Sequence, residues 1–268
     1  MNIIRQEPKR IVVKVGTSTL IHPNGDINLT SIDELALTLT DLQNRGKEVI
    51  LVSSGAIGVG LNTLNLFQRP TSIPAQQAVA AVGQTELIGI YSQRFQTYNQ
   101  KTAQVLMTRD IVDYPQSRFN VVNTLEELLN MKIIPIINEN DTVAIDELDH
   151  LTKFGDNDQL SAIVSNLTHS ELLIMLSDVD GFYSDNPMKN KQAKLHRHIT
   201  QIDGTIFLQA KGSGSQWGTG GMTSKLKAAK QVLKTDGAMV LANGKHPHII
   251  SDIVKGKEIG TLFKEVSS

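Results

Sequence analysis

The chain has 268 residues, with 26 Lys and Arg against 27 Asp and Glu, a formal net charge of -1 and no cysteine. That length holds one large domain or two small ones and buries a core without covalent staples. The charge balance removes any global pull toward nucleic acid or a membrane surface, and the missing cysteine removes disulfides, thiolate zinc sites and a thiol nucleophile.

The N-terminus "MNIIRQEPKRIVVKVG" lacks the apolar block of a signal peptide, and aliphatic runs such as "LLIML" (172–176) are too short to span a bilayer. The expectation is a cytoplasmic protein, residues 1–268 forming one domain without a linker or internal repeat. The first predicted strand is "RIVVKVG" (10–16). It carries Lys14 two residues before Gly16. A lysine in an apolar strand either snorkels to solvent from a sheet edge or meets a partner or ligand.

A helix follows, with a capping box expected at Ser31 and Glu34 and an apolar face of Ile32, Leu35, Leu39 and Leu42. The strand "EVILVSS" (48–54) runs into "SSGAIGVG" (53–60). There Gly55 permits close backbone approach and Ser54 offers a polar contact; tight strand–helix packing is the structural alternative. Residues 74–99 read as helix, rich enough in apolar residues to suggest a homo-oligomer contact. The strand at 102–108 leads to a helix at 116–131 whose face carries Val122, Leu125 and Leu129.

The strand at 132–138 opens into "NENDTVA" (138–144), and "FGDNDQLSA" (154–162) starts a helix with Leu160, Ile163, Val164 and Leu167 at helical spacing. Asn138, Asn140, Asp141, Asp156, Asn157 and Asp158 thus gather at strand ends and a helix start. Asp156 or Asp158 serves as a helix cap, or the set holds a small zwitterion, with carboxylate for ammonium and amide donors for carboxylate. The strand at 171–177 ends in "SDVDGFYSDNP" (177–187), which reads as turn chemistry and lacks the spacing of a calcium loop.

Five glycines fall between residues 212 and 221, just before a helix at 222–235 with Leu226, Ala229 and Leu233 inward. The loop does not spell Walker A: Lys225 is followed by Leu226. Gly218, Gly220 and Gly221 can turn N–H groups toward an anion, with Lys225 one turn into the helix; a surface loop packed by Trp217 is the alternative. The last strand is expected at 237–244. His196 and His198, like His246 and His248, form H-x-H pairs with no third ligand visible in the sequence, so no protein metal site is expected. Near-continuous apolar strands alternating with helices predict a three-layer α/β/α sandwich with a largely parallel sheet, and its ligands gather at the C-terminal strand ends.

Taken in order, "VVKVGTSTL", "VSSGAIGVG", "AAVGQTELIGIY", "PIINENDTVA", "FGDNDQLSA", "LSDVDGFYSDNP", "GTGGMTSKLKAA" and "GTLF" resemble the glutamate 5-kinases of the amino-acid kinase family across about residues 9–264. The resemblance implies Mg²⁺ and ATP as cofactors and phosphorylation of the side-chain carboxylate of L-glutamate, the first step toward proline. It implies ATP contacts from Lys14, Gly16, Ser177, Asp178, Thr219, Gly220, Gly221, Met222, Thr223, Ser224 and Lys225. Glutamate would be held by Ser54, Gly55, Asn138, Asp141 and Asn157, and Asp158 would orient the two lysines. No metal ligand from the protein is implied, because Mg²⁺ travels on ATP.

The resemblance further implies a substrate lobe to about residue 167 and a nucleotide lobe from 168. It also implies a dimer or tetramer, feedback inhibition by proline, and transfer of product to glutamate-5-semialdehyde dehydrogenase. Longer family members carry a C-terminal PUA domain, which is expected to be absent here. The rival readings are a sister kinase acting on acetylglutamate, aspartate, carbamate or uridylate, and a non-catalytic sensor on the same scaffold. The "NEND" and "GDND" pair suits a free amino group, which disfavours an acetylated acceptor. Retention of both lysines disfavours the sensor.

Overall fold

The computed structural model describes residues 7–108, 110–143, 156–212 and 221–265. In chain order the described elements are β1 (Arg10–Val15), α1 (Thr17–Leu20), α2 (Leu29–Asn44), β2 (Glu48–Ser53), α3 (Ala56–Thr63), α4 (Ile73–Thr97), β3 (Thr102–Met107), α5 (Asp110–Asp113), α6 (Pro115–Asn130) and β4 (Ile134–Glu139). They continue with α7 (Asn157–Leu167), β5 (Leu172–Ser177), β6 (His198–Ile199), α8 (Gly204–Gly212), α9 (Met222–Leu233), β7 (Ala238–Asn243), α10 (Ile249–Val254) and β8 (Thr261–Phe263).

The strands form a single sheet in the order β3-β4-β2-β1-β5-β7-β8-β6. All pairs are parallel except β7 with β8. The six long strands lie within two residues of the positions expected from the apolar runs, so both-faced burial is what those runs encode. Strand β1 is central: Val13 lies level with Leu51 of β2 on one side and with Ile174 of β5 on the other. An edge-strand exit for Lys14 is therefore closed.

Alternation along β1 divides the core. Ile11, Val13 and Val15 pack with α2, α3, α4 and α10 through residues such as Leu35, Val59, Leu87 and Ile250. Val12 packs on the other face with α6, α7 and α9 through Leu125, Leu160 and Leu226. This is the expected sandwich. Lys14 shares the face of Val12, two residues nearer the C-terminal strand ends.

One correction concerns the helices. The first turn of α2 is capped by Asn28, whose side chain accepts from Ser31 N at 3.1 Å. Ser31 lies inside the helix, because the chain turns in three residues before the expected box. The apolar content of α4 is spent largely inside the chain, on Val79, Ala80, Leu87, Tyr91 and Phe95. Helices α3 and α4 cross at Gly60 and Gly83. A Cβ on Gly83 would lie 1.8 Å from the carbonyl oxygen of Ala56, so the crossing requires glycine. No described helix is long and apolar enough to cross a membrane.

Candidate active site

The order in which strands are added reverses across the sheet centre. β1 hands on to β2 on one flank, whereas β5 hands on to β7 on the other. The C-terminal ends of β1, β2, β4 and β5 border that switch point, where open α/β sheets bind ligands. Helix α7 begins above it. Its cap is Asp156, whose Oδ1 accepts from the N–H groups of Asp158 and Gln159 at 3.0 and 3.1 Å. With the cap supplied by Asp156, the carboxylate of Asp158 turns inward.

Asp158 is 1 % exposed and is held by two ammonium groups. Lys14 Nζ lies 2.6 Å from Oδ1 and Lys225 Nζ 3.0 Å from Oδ2. Burial alone would raise the carboxyl pKa, but the charges and hydrogen bonds of Lys14 and Lys225 outweigh it and hold Asp158 below the usual carboxylate range. The carboxylate therefore stays ionised at neutral pH. Two ammonium groups thus converge on one described carboxylate, within reach of the oxygens of an incoming polyphosphate.

The adjacent residue faces the other way. Asn157 Nδ2 donates to Ser53 O at 3.1 Å, Ser54 Oγ at 3.0 Å and Asn138 Oδ1 at 2.9 Å. It thereby ties α7 to the ends of β2 and β4. Asn138, almost fully buried, donates in turn to Gln84 Oε1 on α4 at 2.7 Å and accepts from Glu139 N. The result is a neutral lattice of amides and a hydroxyl beside the ionic group.

Backbone donors border both. Gly55 adopts φ 102° and starts α3 without a side-chain cap; Gly221 starts α9 likewise. Helix N-termini left open in this way favour an anion. Gln159 Nε2 donates to Ser224 O at 3.0 Å, fixing the first turn of α9 against α7. Met222, Thr223 and Ser224 form that turn. Thr219 and Gly220 lie outside the described residues.

Gly16 follows β1 directly and precedes α1. Ser177 ends β5, the next strand over, and Asp178 follows it, with the Ser177 hydroxyl donating to Asp178 Oδ1 at 3.0 Å. Asp141 lies half-buried in the turn after β4. The structure thus joins Lys14, Asp158 and Lys225 in one group and Ser54, Asn138 and Asn157 in another; the other described site residues border the same strand ends. Gln84 and Gln159 are additions. Neither stands out in sequence, since each is a polar residue within a helix, and only the packing of α4 and α7 gives it a partner.

The profile of the amino acid kinase family matches residues 9–243. The chain belongs to the amino acid kinase family. Among curated relatives, a glutamate 5-kinase of Enterococcus faecalis is 67% identical over 258 residues, covering 96% of this chain and 95% of that protein. One of Lactiplantibacillus plantarum is 58% identical over 264 residues, covering 98% of this chain and 100% of the relative. Among solved structures, carbamate kinase from Giardia lamblia bound to AMP-PNP superposes with TM-score 0.68 at 14% identity, covering 96% of this chain and 99% of that one. UMP kinase from Bacillus anthracis gives 0.64 at 15% identity, covering 98% of each. At those identities the two structures speak for the amino acid kinase fold alone.

Proposed function

We propose that this kinase transfers the γ-phosphoryl group of ATP to the γ-carboxylate of L-glutamate, forming L-glutamyl 5-phosphate, the first step of proline biosynthesis. The observation that carries this reading is 67% identity to a glutamate 5-kinase along nearly the whole chain. The paired lysines on one buried carboxylate supply a physical reason for it.

A γ-carboxylate is ionised at neutral pH, so the nucleophile needs no general base. A carboxylate oxygen forms a bond to the γ-phosphorus while the bond to the β,γ-bridging oxygen breaks, and ADP leaves with that electron pair. The protein's tasks are positioning and charge stabilisation. Lys14 and Lys225 stabilise the oxygens of the phosphoryl group in flight. Asp158 spaces the two ammoniums and takes no proton. The Asp158 carboxylate is already committed to the lysines, which suits a divalent ion arriving on the nucleotide. Mg²⁺ neutralises phosphate charge when bound.

In this reading Ser54, Gly55, Asn138, Asp141 and Asn157 hold glutamate. Gly16, Ser177, Asp178 and residues 219–225 hold ATP. Gly16 apart, the two sets correspond to a substrate lobe to about residue 167 and a nucleotide lobe from 168, meeting where β1 borders β5. The reading extends to a cytoplasmic homo-oligomer, to proline as feedback inhibitor at the glutamate site, and to product transfer to glutamate-5-semialdehyde dehydrogenase.

The test traps the acyl phosphate with hydroxylamine in the presence of Mg-ATP, offering L-glutamate, N-acetylglutamate and L-aspartate in parallel. Hydroxamate from L-glutamate alone is the expected result. Turnover of another acceptor moves the chain to a sister kinase, and no turnover with any of them restores the sensor reading.

A further inference from the structure

A second cluster of ligand-type side chains lies outside the kinase site. After β7 the chain runs through Asn243, Gly244, Lys245, His246, Pro247 and His248 into α10. Gly244 N donates to Ser177 O at 2.7 Å, and Pro247 is buried, so the loop is pinned from beneath. His246 and His248, two residues apart, are both exposed. The backbone N–H groups of Ile249 and Ser251 donate to the carbonyls of His246 and His248, so the opening turn of α10 fixes both residues' backbones.

The third member comes from α2. Glu34 Oε1 lies 2.5 Å from His248 Nδ1, across 214 residues of sequence. One ligand atom from each of Glu34, His246 and His248 lies within 4.8 Å of the others. The two imidazole centroids are 5.8 Å apart, at 38°. Two imidazoles on one ion, with metal–nitrogen bonds of about 2.0–2.1 Å, hold their ring centres roughly 5–6 Å apart. The histidine pair already has that spacing, and small rotations of exposed side chains close the triangle.

We propose that Glu34, His246 and His248 form a surface site for Zn²⁺ or a related late first-row transition ion, with water completing the coordination. Two imidazoles and one carboxylate suit such ions, whereas Mg²⁺ prefers an all-oxygen shell. The site is therefore distinct in chemistry from the Mg-ATP that serves the kinase reaction. An ion held there ties the loop after β7 to α2. The three ligands come from two elements far apart in sequence, so binding stabilises the folded chain.

The experiment uses the full chain with any affinity tag removed, without nucleotide, in a constant excess of Mg²⁺. Zn²⁺ is titrated calorimetrically, and Co²⁺ is followed by its visible ligand-field absorption. Wild type is expected to take up one equivalent of Zn²⁺ and to melt at a higher temperature with it. Glu34→Gln and His248→Ala each weaken binding by roughly tenfold or more, the scale on which altered metal surroundings act. The pair His246→Ala/His248→Ala abolishes the saturable step, and His196→Ala/His198→Ala leaves it intact. Hydroxamate formation from glutamate, retained by all four, reports that they fold. Absence of a saturable step in wild type overturns the proposal, as does an unchanged isotherm in the His246/His248 variant.

Discussion

The two ends of β1 handle charge differently on the same face of the sheet. At the N-terminal end, Arg10 is gripped by two carboxylates, Glu48 at 2.7 Å and Glu126 at 2.5 Å, and also donates to Thr168 O. At the C-terminal end, Lys14 and Lys225 share the single carboxylate of Asp158. At the N-terminal end Lys9 also pairs with Glu48 at 3.1 Å, so two cations meet two carboxylates, and nearby water can solvate the group because Glu126 is 39 % exposed. At the other, two cations converge on one carboxylate in a place where each of the three side chains is less than a tenth exposed. Holding two ammonium groups away from water is costly, and their convergence at the strand ends suits a ligand rich in anionic oxygens.

The sharpest way to break this comparison is to remove a cation at the C-terminal end. Lys14→Ala or Lys225→Ala should lower kcat by about 10²–10³, the scale of losing one preorganised donor to developing charge. KM for glutamate should move little, which steady-state hydroxamate kinetics will reveal. A change confined to KM would reassign the lysine to ground-state binding.

Asp158→Asn keeps the shape and removes the shared anion. Two buried ammoniums then face each other, and stability should fall by about 3 kcal/mol. Mg-ATP should raise the Tm of this variant more than that of wild type, because its phosphates replace the lost charge. The same carboxylate sets a pH window. Its folded pKa lies below its unfolded value, so its contribution is present above the ordinary carboxylate range and lost as pH falls through the depressed folded value. Asp158→Asn should therefore flatten the acid limb of a stability–pH curve; an acid limb identical to that of wild type would assign acid sensitivity to other carboxylates.

The contrast also explains what the sequence revealed. Six long strands were legible because burial on both faces writes continuous apolar runs such as "LLIML". Strands β6 and β8 were not, since two and three residues are too short to display a period. Lys14 stood out as a charge inside such a run. Its partnership with Asp158 and Lys225 did not, because three elements far apart in sequence supply the group, and only the family resemblance suggested it. The S-x-x-E pattern points to Ser31 as the cap of α2, whereas the chain turns earlier, where Asn28 reaches Ser31 N. The HPH stretch lacked a third ligand in sequence because Glu34 arrives from α2.

A smaller effect distinguishes the neutral lattice from the ionic group beside it. Gln84→Ala leaves the side-chain N–H of nearly buried Asn138 without the acceptor it has at 2.7 Å. The expected cost is about 1–3 kcal/mol in stability. Because Asn138 also receives Asn157, KM for glutamate should rise roughly tenfold while KM for ATP stays put, about 1.4 kcal/mol of acceptor binding. A drop in kcat at unchanged KM would show that the lattice serves the transfer step rather than acceptor placement.

The smallest effect belongs to the opposite end of the strand. Burial would raise the pKa of Glu48, but its bonds to Arg10 and Lys9 prevail and hold it below the usual range. Any stability it adds is thus present above the unfolded carboxylate pKa and fades in acid. The Arg10 pairs lie near solvent, so Glu126→Gln should cost no more than about 1 kcal/mol, with the cost shrinking at high salt. Activity should be untouched, because Arg10 stands a strand's length from Lys14. If Glu126→Gln lowered kcat as a lysine variant does, the two ends of β1 would be coupled, and the division between a holding end and a working end would fail.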